Sequence, residues 1–244
     1  DKLLGSLGLY DRIVVNSDYT AQIYGAYPAG YRDRVVRIDH GFEDKSLAMS
    51  KAAARTILRL PPDVPLLGCA ARLHALKQLD VAIGVLPLIE GSHLALAGQG
   101  QDRERLAAIA KDLGVTDRVH FLGELAPEAI GVFLAALDCF VFPSGAETFG
   151  LAPVEAAQSG LPVVANDLDV LRKVLSVDGA PCAIFADAGD LDAFAAAVKS
   201  VLTDRSLAAA LIAKGRRLKE RYPLTAMTDA YRRLVGELTA SQPC

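Results

Sequence analysis

From Pro65 onward, short apolar runs alternate with amphipathic stretches of helical period, and this alternation constrains the fold more than any other feature of the sequence. Runs that are apolar throughout indicate strands buried on both faces, and intervening helices indicate parallel strands. We therefore predict an α/β fold with a doubly wound parallel sheet that helices cover on both faces. Its predicted strands are 66–72, 93–97, 119–122, 138–142, 161–165 and 183–185.

The remaining elements are predicted from caps and apolar spacing. Ser17 and Asp190 are typical helix caps. Short strands are predicted at 11–16 and 34–38, and residues 1–9 read as the tail of a helix. Helices are predicted at 17–27, around 47–58 with Leu47, Ala54, Ile57 and Leu58 as its apolar residues, and at 78–89, 101–113, 127–137, 151–160, 207–221 and 224–238. In the helix at 101–113, the expected buried face is Leu106, Ile109, Ala110 and Leu113.

Composition restricts the class of protein. A net charge of −3 argues against a general nucleic-acid binder, and the 52% hydrophobic fraction fits a globular α/β domain. The four cysteines stand far apart, three of them in apolar runs, which predicts free buried thiols and a reducing compartment. No apolar run approaches the roughly 18 residues of a membrane helix. We expect a cytoplasmic protein.

Residues 142–155, FPSGAETFGLAPVE, form the most informative segment. They lead from a predicted strand into a helix that carries Pro153 in its first turn, where proline is best tolerated. Glu147 precedes that helix and Glu155 lies one turn inside it. A helix N-terminus favours phosphate, so a ligand made of sugar, diphosphate and ribose would match this layout.

A basic pair follows the first strand of the alternation. Arg72 and Lys77, in ARLHALKQ, stand at the mouth of a strand and the start of a helix, where they can clamp a diphosphate. A basic surface loop is the alternative. In a parallel sheet the strand ends at Arg72, Gly98, Gly123, Phe142 and Asn166 share one edge, which favours the phosphate hypothesis.

Other motifs carry weaker signals. Gly98-Gln99-Gly100 lacks the third glycine of a dinucleotide fingerprint, so we interpret it as a tight turn that lets a ligand approach the backbone. Asp167-Leu168-Asp169 and Asp190-Leu191-Asp192 fit a metal pattern, but a solvated loop and a helix cap explain them better. The basic residues at 214–221 predict a solvated helix face, with peripheral contact to the inner face of a membrane as the minor alternative.

Together these residues resemble the donor-binding half of a retaining glycosyltransferase of the GT-B fold, the group 1 or family 4 type. The resemblance rests on Ala71-Arg72-Leu73 with Lys77, on LALAGQG, RVHFLGEL and GLPVVAND, and on an E-x7-E motif from Glu147 to Glu155. It implies a Rossmann-like doubly wound sheet that forms the C-terminal half of such an enzyme. It also implies sugar transfer from a nucleotide-sugar with retained anomeric configuration and no required metal or other cofactor.

The resemblance also implies roles for individual residues. Arg72, Lys77 and Glu147 would be catalytic, the first two on the diphosphate and Glu147 on the donor-sugar hydroxyls. The remaining donor-binding positions are Glu155 on the ribose, the amides of Phe149, Gly150 and Leu151 on the phosphates, Gly98, and Gly123, Glu124 and Leu125 beside the base.

Such enzymes carry an acceptor-binding domain before the donor domain, and residues 1–30 resemble only its last strand and helix. The expected organisation is therefore a remnant of that domain and a linker at 1–40, the donor domain at 41–222, and a crossover helix and tail at 223–244. The sequence predicts donor binding without transfer until the acceptor domain is supplied. Two alternatives stay open: a non-catalytic nucleotide-binding module, and a sugar-nucleotide epimerase.

Overall fold

Short strands and helices alternate along residues 9–240, the part of the chain that the computed structural model describes. The strands are β1 (Ile13–Val15), β2 (Val35–Arg37), β3 (Leu66–Ala70), β4 (His93–Ala97), β5 (Val119–Gly123), β6 (Cys139–Phe142), β7 (Val163–Asn166), β8 (Ser176–Val177), β9 (Ala180–Pro181) and β10 (Ile184–Ala186). The α-helices are α1 (Asp18–Tyr24), α2 (Ala29–Arg32), α3 (Lys51–Leu58), α4 (Leu79–Gly84), α5 (Arg103–Asp112), α6 (Ala129–Ala136), α7 (Leu151–Gln158), α8 (Asp169–Val174), α9 (Leu191–Thr203), α10 (Arg205–Arg216), α11 (Leu218–Arg221) and α12 (Leu224–Ala240).

The chain divides into two units. The smaller one combines the described residues up to Glu43 with those from Lys219 onward, and the larger one is Asp44–Leu218. Apart from Leu9, the helix tail predicted at 1–9 lies outside the described residues. The predicted division at residues 40 and 222 stays a prediction.

A six-stranded sheet forms the centre of the larger unit, with the order β10-β7-β6-β3-β4-β5. Every neighbouring pair in it is parallel, which confirms the predicted α/β class. In chain order, β3 is the first strand of this sheet. Strands β4 and β5 are added on one side of it, and β6, β7 and β10 are then added on the other. Right-handed crossovers therefore place α4 and α5 on one face and α6 and α7 on the opposite face. In agreement with this, α4 packs against α5, and α6 packs against α3.

The core of the larger unit is the sheet and the helices that cover it. Strands β6 and β7 are buried along their whole length. The largest fully buried side chains include Phe133, Phe140 and Phe194, from α6, β6 and α9. Each such side chain contributes roughly 1.5–3 kcal/mol when it leaves water, so their burial stabilises the packing of the helices against the sheet.

The smaller unit contains a parallel strand pair and a cluster of the Tyr24, Tyr27 and Tyr31 rings. Strand β1 pairs with β2 from Ile13 opposite Val35 to Val15 opposite Arg37. Ser17 caps α1 in a reciprocal capping box with Thr20, as its position predicted. At the other end of this unit, Phe42 forms a β-bridge with Pro223.

Several helix predictions were too long or misplaced. Pro28 ends the first helix early and starts α2, because the residue before a proline avoids the α conformation. Pro87 similarly divides 78–89 into α4 and a 3-10 helix at Leu86–Leu88. The predicted helix at 207–221 is also divided, into α10 and α11.

In two predicted helices, some of the apolar residues named from the sequence are exposed or lie outside the helix. Leu113 is 43% exposed, because α5 ends at Asp112 and Gly114 then turns the chain at a φ of 67°. Ile57 is 59% exposed, and Leu47 precedes α3 instead of lying in it. Of the four residues named from the sequence, α3 buries Ala54, and it also buries Arg55.

The β8-β9 hairpin was not predicted, although its turn carries a strong sequence signal. Asp178 and Gly179 link the two strands with φ angles of 51° and 75°. An Asp-Gly pair with both φ angles positive is typical of a tight two-residue hairpin turn.

Candidate functional site

The carboxyl ends of the sheet strands define the candidate site. Because all neighbouring strands are parallel, β3, β4, β5, β6 and β7 end at one edge, as predicted. The direction in which strands are added reverses between β3 and β6. Ligands of open α/β sheets bind outside the carboxyl ends at such a switch point. The loops after Ala70 and Phe142 flank that position.

The loop after β3 carries the two predicted phosphate-binding cations. Arg72 is exposed, between two backbone anchors in which the amides of Ala71 and Leu73 donate to the carbonyls of Ala97 (3.0 Å) and Gln99 (2.9 Å). His74 then caps a 3-10 helix at Ala75–Lys77 by accepting from the Leu76 amide. The loop therefore presents both cations from a fixed backbone.

Lys77 and Glu147 form an ion pair across this switch point. The Lys77 Nζ lies 2.5 Å from Glu147 Oε1, and the side chains are only 23% and 11% exposed. The ammonium also lies 5.7 Å from the centre of the Phe142 ring. Behind the pair, burial raises the pKa of the Cys69 thiol to about 12, with smaller opposing influences from Lys77 and Glu147. Cys69 is thus a neutral packing residue.

The glycine turn after β4 packs closely against the loop that carries Arg72. A Cβ on Gly98 would lie 2.0 Å from the Ala71 carbonyl oxygen, and one on Gly100 would lie 2.1 Å from that of Leu73. Gly98 also has a φ of 137°, which favours glycine. The close approach that requires these glycines is therefore to the protein's own Arg72 loop.

Gly98 also contacts the predicted base-binding segment. Its amide donates to the Gly123 carbonyl at 2.6 Å. Of the next two residues, Glu124 is exposed and Leu125 is half-buried. In strand β5, which precedes these residues, the Phe121 ring centre lies 3.5 Å from the Arg103 guanidinium. The sequence did not reveal this cation–π contact.

The loop after β6 is tied down on both sides. The Gly145 amide donates to the Leu76 carbonyl at 2.8 Å. On the other side, Asn166 Nδ2 donates to the Ser144 carbonyl at 3.0 Å. Our sequence reasoning named Asn166 only as the end of a strand.

Helix α7 starts at this edge behind Phe149 and Gly150. Phe149 is buried, and Gly150 occupies the N-cap position with a φ of 92°. Because glycine has no side chain, it cannot accept from the first-turn amides, and Leu151 at the first position is 47% exposed. The helix start therefore keeps the partial positive charge that favours anions.

Glu155 is half-buried, one turn into α7. Burial raises the pKa of its carboxyl group, and Lys45 partly offsets this effect. The structure thus brings Lys77 and Glu147 into contact and places Glu155 further along the helix.

An aspartate of each D-x-D motif is bonded to another residue of the protein. Asp167 forms an ion pair with Arg172, which lowers the pKa of the Asp167 carboxyl group. Asp190 caps α9 by accepting from the Ala193 amide at 3.0 Å, as predicted. Within residues 9–240, no three histidine, cysteine, aspartate or glutamate side chains are grouped so that they could hold a metal ion.

The amino-terminal edge of the same sheet contains a cavity of about 750 Å³. It lies between α3, α6 and the α9–α10 junction, and none of the site residues predicted from the sequence is among the described residues that line it. Arg55 forms part of its wall. The Arg55 side chain donates to the carbonyls of Ala136 (2.9 Å), Pro62 (2.5 Å) and Val64 (3.0 Å) and to Asp138 Oδ2 (2.7 Å).

Comparison with known proteins identifies the family. The model of glycosyl transferases group 1 matches residues 50–218, and the chain belongs to this family. It is 33% identical over 186 residues to the lipopolysaccharide core biosynthesis glycosyltransferase LpsE of Rhizobium meliloti, covering 76% of this chain and 54% of that protein. It is 29% identical over 242 residues to the D-inositol 3-phosphate glycosyltransferase of Mycolicibacterium smegmatis, covering 96% and 55%. The chain thus spans about half the length of the curated relatives it matches.

Solved structures confirm the GT-B fold. Sucrose-phosphate synthase from Thermosynechococcus elongatus superposes with a TM-score of 0.86 at 24% identity, covering 99% of this chain and 62% of that one. HepE from Anabaena, solved in complex with UDP and glucose, superposes with a TM-score of 0.84 at 18% identity, covering 97% and 68%. Within the described residues 9–240, no helix is both long and apolar enough to cross a membrane.

Proposed function

We propose that the larger unit binds a nucleotide-sugar, with the diphosphate at the switch point between β3 and β6. The observation that carries this proposal is the Lys77–Glu147 pair, which lies at that point in the same loop system as the start of α7. Arg72 is exposed in the same loop after β3 that carries Lys77. Two cations and a helix N-terminus suit a diphosphate, and a carboxylate suits sugar hydroxyls.

UDP is the nucleotide we propose. Several solved structures that share this fold are complexes with UDP or UDP-glucose, among them HepE. In this proposal Lys77 shifts from Glu147 towards the diphosphate when the donor enters. Glu147 then accepts hydrogen bonds from the sugar, and Glu155 accepts from the ribose. Backbone near Gly123 contacts the base.

The proposed reaction is sugar transfer with retention of anomeric configuration. The bond between the anomeric carbon and the phosphate oxygen breaks, and its electron pair stays on the diphosphate. The acceptor hydroxyl bonds to the anomeric carbon on the same face, and its proton passes to the leaving diphosphate. Arg72 and Lys77 stabilise the developing negative charge. With these two cations in place, we propose that no metal ion is required.

We further propose that an acceptor-binding half lies outside this chain. The curated relatives are about twice as long as the matched segment, and transfer requires an acceptor positioned against the donor. The chain alone would bind donor without transferring sugar. Supplying an acceptor-binding half from a relative should restore transfer, and NMR of the product would report its anomeric configuration.

Calorimetry with UDP and UDP-glucose tests donor binding directly. Arg72→Ala and Lys77→Ala should each weaken UDP binding by about 1–3 kcal/mol, the value of a charged hydrogen bond. Glu147→Ala should leave UDP affinity unchanged and remove the additional affinity for UDP-glucose. Lys51→Ala is the matched control, since Lys51 lies at the opposite edge of the sheet. Unchanged UDP affinity in both cation variants would exclude the diphosphate site.

A further inference from the structure

Asn166 ends β7 with a buried side chain that makes hydrogen bonds in two directions. Its Oδ1 accepts from the amides of Asp167 and Ala188, each at 2.9 Å. Its Nδ2 donates to the Ser144 carbonyl at 3.0 Å. Because two amides can only donate and a carbonyl can only accept, the orientation of the Asn166 amide is fixed.

The bond to Ser144 restrains the segment that carries Glu147. Strand β7 lies on one side of β6, and β3 lies on the other. The Ser144–Gly145 backbone is therefore held from the β7 side by Asn166 and from the β3 side by the Leu76 carbonyl. Glu147, only two residues beyond Gly145, must emerge from this clamped backbone.

Strand geometry does not explain the Asn166 contact. The β6–β7 pairing ends at Phe142 opposite Ala165, so the ladder does not include Ser144. The Asn166 side chain links the end of β7 to the loop after β6, just beyond the last paired residues of the two strands. Without this bond the loop would be free to move relative to β7. A buried amide that makes three hydrogen bonds at this point restrains the loop to one conformation.

We infer that Asn166 is a positioning residue that, through Ser144, holds the Glu147 carboxylate where the donor sugar binds. This inference rests on the proposed function, because it assigns Glu147 to the sugar. It predicts that loss of the Asn166 donor affects the sugar portion of the ligand and leaves recognition of the nucleotide intact.

Asn166→Asp tests the inference with the smallest change of shape. Its carboxylate can still accept from Asp167 and Ala188 but cannot donate to the Ser144 carbonyl. Hydrogen exchange of the amides in 144–150 should become faster by about tenfold or more without any ligand, because local opening becomes easier. By calorimetry, UDP affinity should stay within about twofold, while UDP-glucose affinity should fall by about tenfold, as expected for a misplaced hydrogen-bonding carboxylate.

Ser92→Ala is the matched control. Ser92 is buried and donates one hydrogen bond from its side chain to the Ile89 carbonyl, at 2.7 Å, at the amino-terminal edge of the sheet. This variant loses a comparable bond but should change neither exchange in 144–150 nor binding of either ligand. If Asn166→Asp does not fold, Asn166→Ala removes the same donor without a buried charge and carries the same expectations.

The outcomes separate the two proposals. Unchanged exchange in 144–150, or an equal loss of UDP and UDP-glucose affinity, would overturn the positioning role of Asn166. If the unmodified chain binds neither UDP nor UDP-glucose, the proposed function is wrong. The exchange measurement would then still decide whether Asn166 restrains the loop, and the assigned role toward a sugar would be overturned.

Discussion

The two edges of the sheet in the larger unit use charged residues in opposite ways. At the amino-terminal edge, Arg55 is 4% exposed and donates to three carbonyls as well as to Asp138. Asp138 in turn accepts from the Leu66 amide and pairs with Lys51. This network joins α3 to the starts of β3 and β6. Both the Arg55 guanidinium and the Asp138 carboxylate make several hydrogen bonds within the protein.

At the carboxyl-terminal edge, the Lys77–Glu147 pair has fewer partners. One hydrogen bond joins the ammonium and the carboxylate, although the two groups together offer three donors and about four acceptor positions. The two ion pairs are similarly buried, but they differ in how many hydrogen bonds each makes within the protein. A pair whose groups make several hydrogen bonds within the protein stabilises the fold. A pair with unused donors and acceptors is suited to exchange partners with a ligand.

The largest loss of stability is expected from a substitution at the amino-terminal edge of the sheet. Arg55→Met should lower the free energy of unfolding by about 3–5 kcal/mol, because Asp138 and three backbone carbonyls lose the hydrogen bonds that the Arg55 side chain donates. Urea denaturation would measure this loss. Lys51→Met is the control, since Lys51 is 47% exposed and exposed pairs contribute about 0–1 kcal/mol. Equal losses in the two variants would contradict the contrast between the edges.

A smaller effect is expected from the Lys77–Glu147 pair, and it should be reversible. Lys77→Met should cost about 1–3 kcal/mol of stability, because it leaves a buried carboxylate unpaired. Adding Glu147→Gln should restore stability to within about 1 kcal/mol of the original protein. The matched double variant Arg55→Met with Asp138→Asn should remain destabilised, because the carbonyls that Arg55 served still lack a donor. Denaturant unfolding of both series would decide, and failure of the Lys77 double variant to recover would refute the contrast.

Acidification should weaken the amino-terminal half of β4 and β5. His93 Nδ1 and His120 Nε2 lie 3.0 Å apart there, and burial lowers the pKa of both imidazoles below 6.5, with Arg118 adding to the effect at His93 and His93 at His120. Below the unfolded pKa the unfolded chain therefore binds more protons than the folded one, so stability present near neutral pH is lost as pH falls.

Stability measured at about pH 8 and about pH 5.5 would reveal this dependence. His93→Gln should show a smaller decrease between the two values than the original protein. Glu155, at the other edge, has the opposite sign: burial raises the pKa of its carboxyl group, so its ionisation disfavours the folded state as pH rises. An identical pH dependence in His93→Gln would exclude the histidine pair as a source.

The smallest change in stability is expected at two residues whose backbone is in the left-handed conformation, one near each edge of the sheet. Gln78 and Arg59 have φ angles of 47° and 54°, a region that favours glycine. Gln78→Gly and Arg59→Gly should each stabilise the fold by less than about 1 kcal/mol, since relief of strain is partly offset by the greater freedom of glycine in the unfolded chain. Thermal unfolding would measure both.

Binding would distinguish the two glycine variants. Gln78 adjoins Lys77, and its Oε1 is buried without a hydrogen-bond partner, next to Gly145. Gln78→Gly should therefore also weaken UDP binding, because it loosens the backbone that presents Lys77. Arg59→Gly should leave UDP binding unchanged. An equal effect of the two variants on UDP affinity would remove the distinction.

Much of the fold could be predicted because its signals are local. Continuous apolar runs gave the strands of the sheet, and Ser17 and Asp190 marked helix starts that the structure confirms. Helix ends were less accurate, because Pro28 and Pro87 act on the backbone within one turn. The Asp178-Gly179 turn was predictable in principle and was overlooked.

The sequence by itself determined the α/β class and the candidate residues on the carboxyl edge, because apolar periodicity, helix caps and the alternation of strands with helices are local features of the chain. Tertiary structure alone decided which of these residues meet. Lys77 and Glu147 are 70 positions apart, Arg55 and Asp138 are 83 apart, and Asn166 is 22 from Ser144. A side chain's hydrogen-bond partner depends on which strands become neighbours, and a single sequence carries no record of that contact.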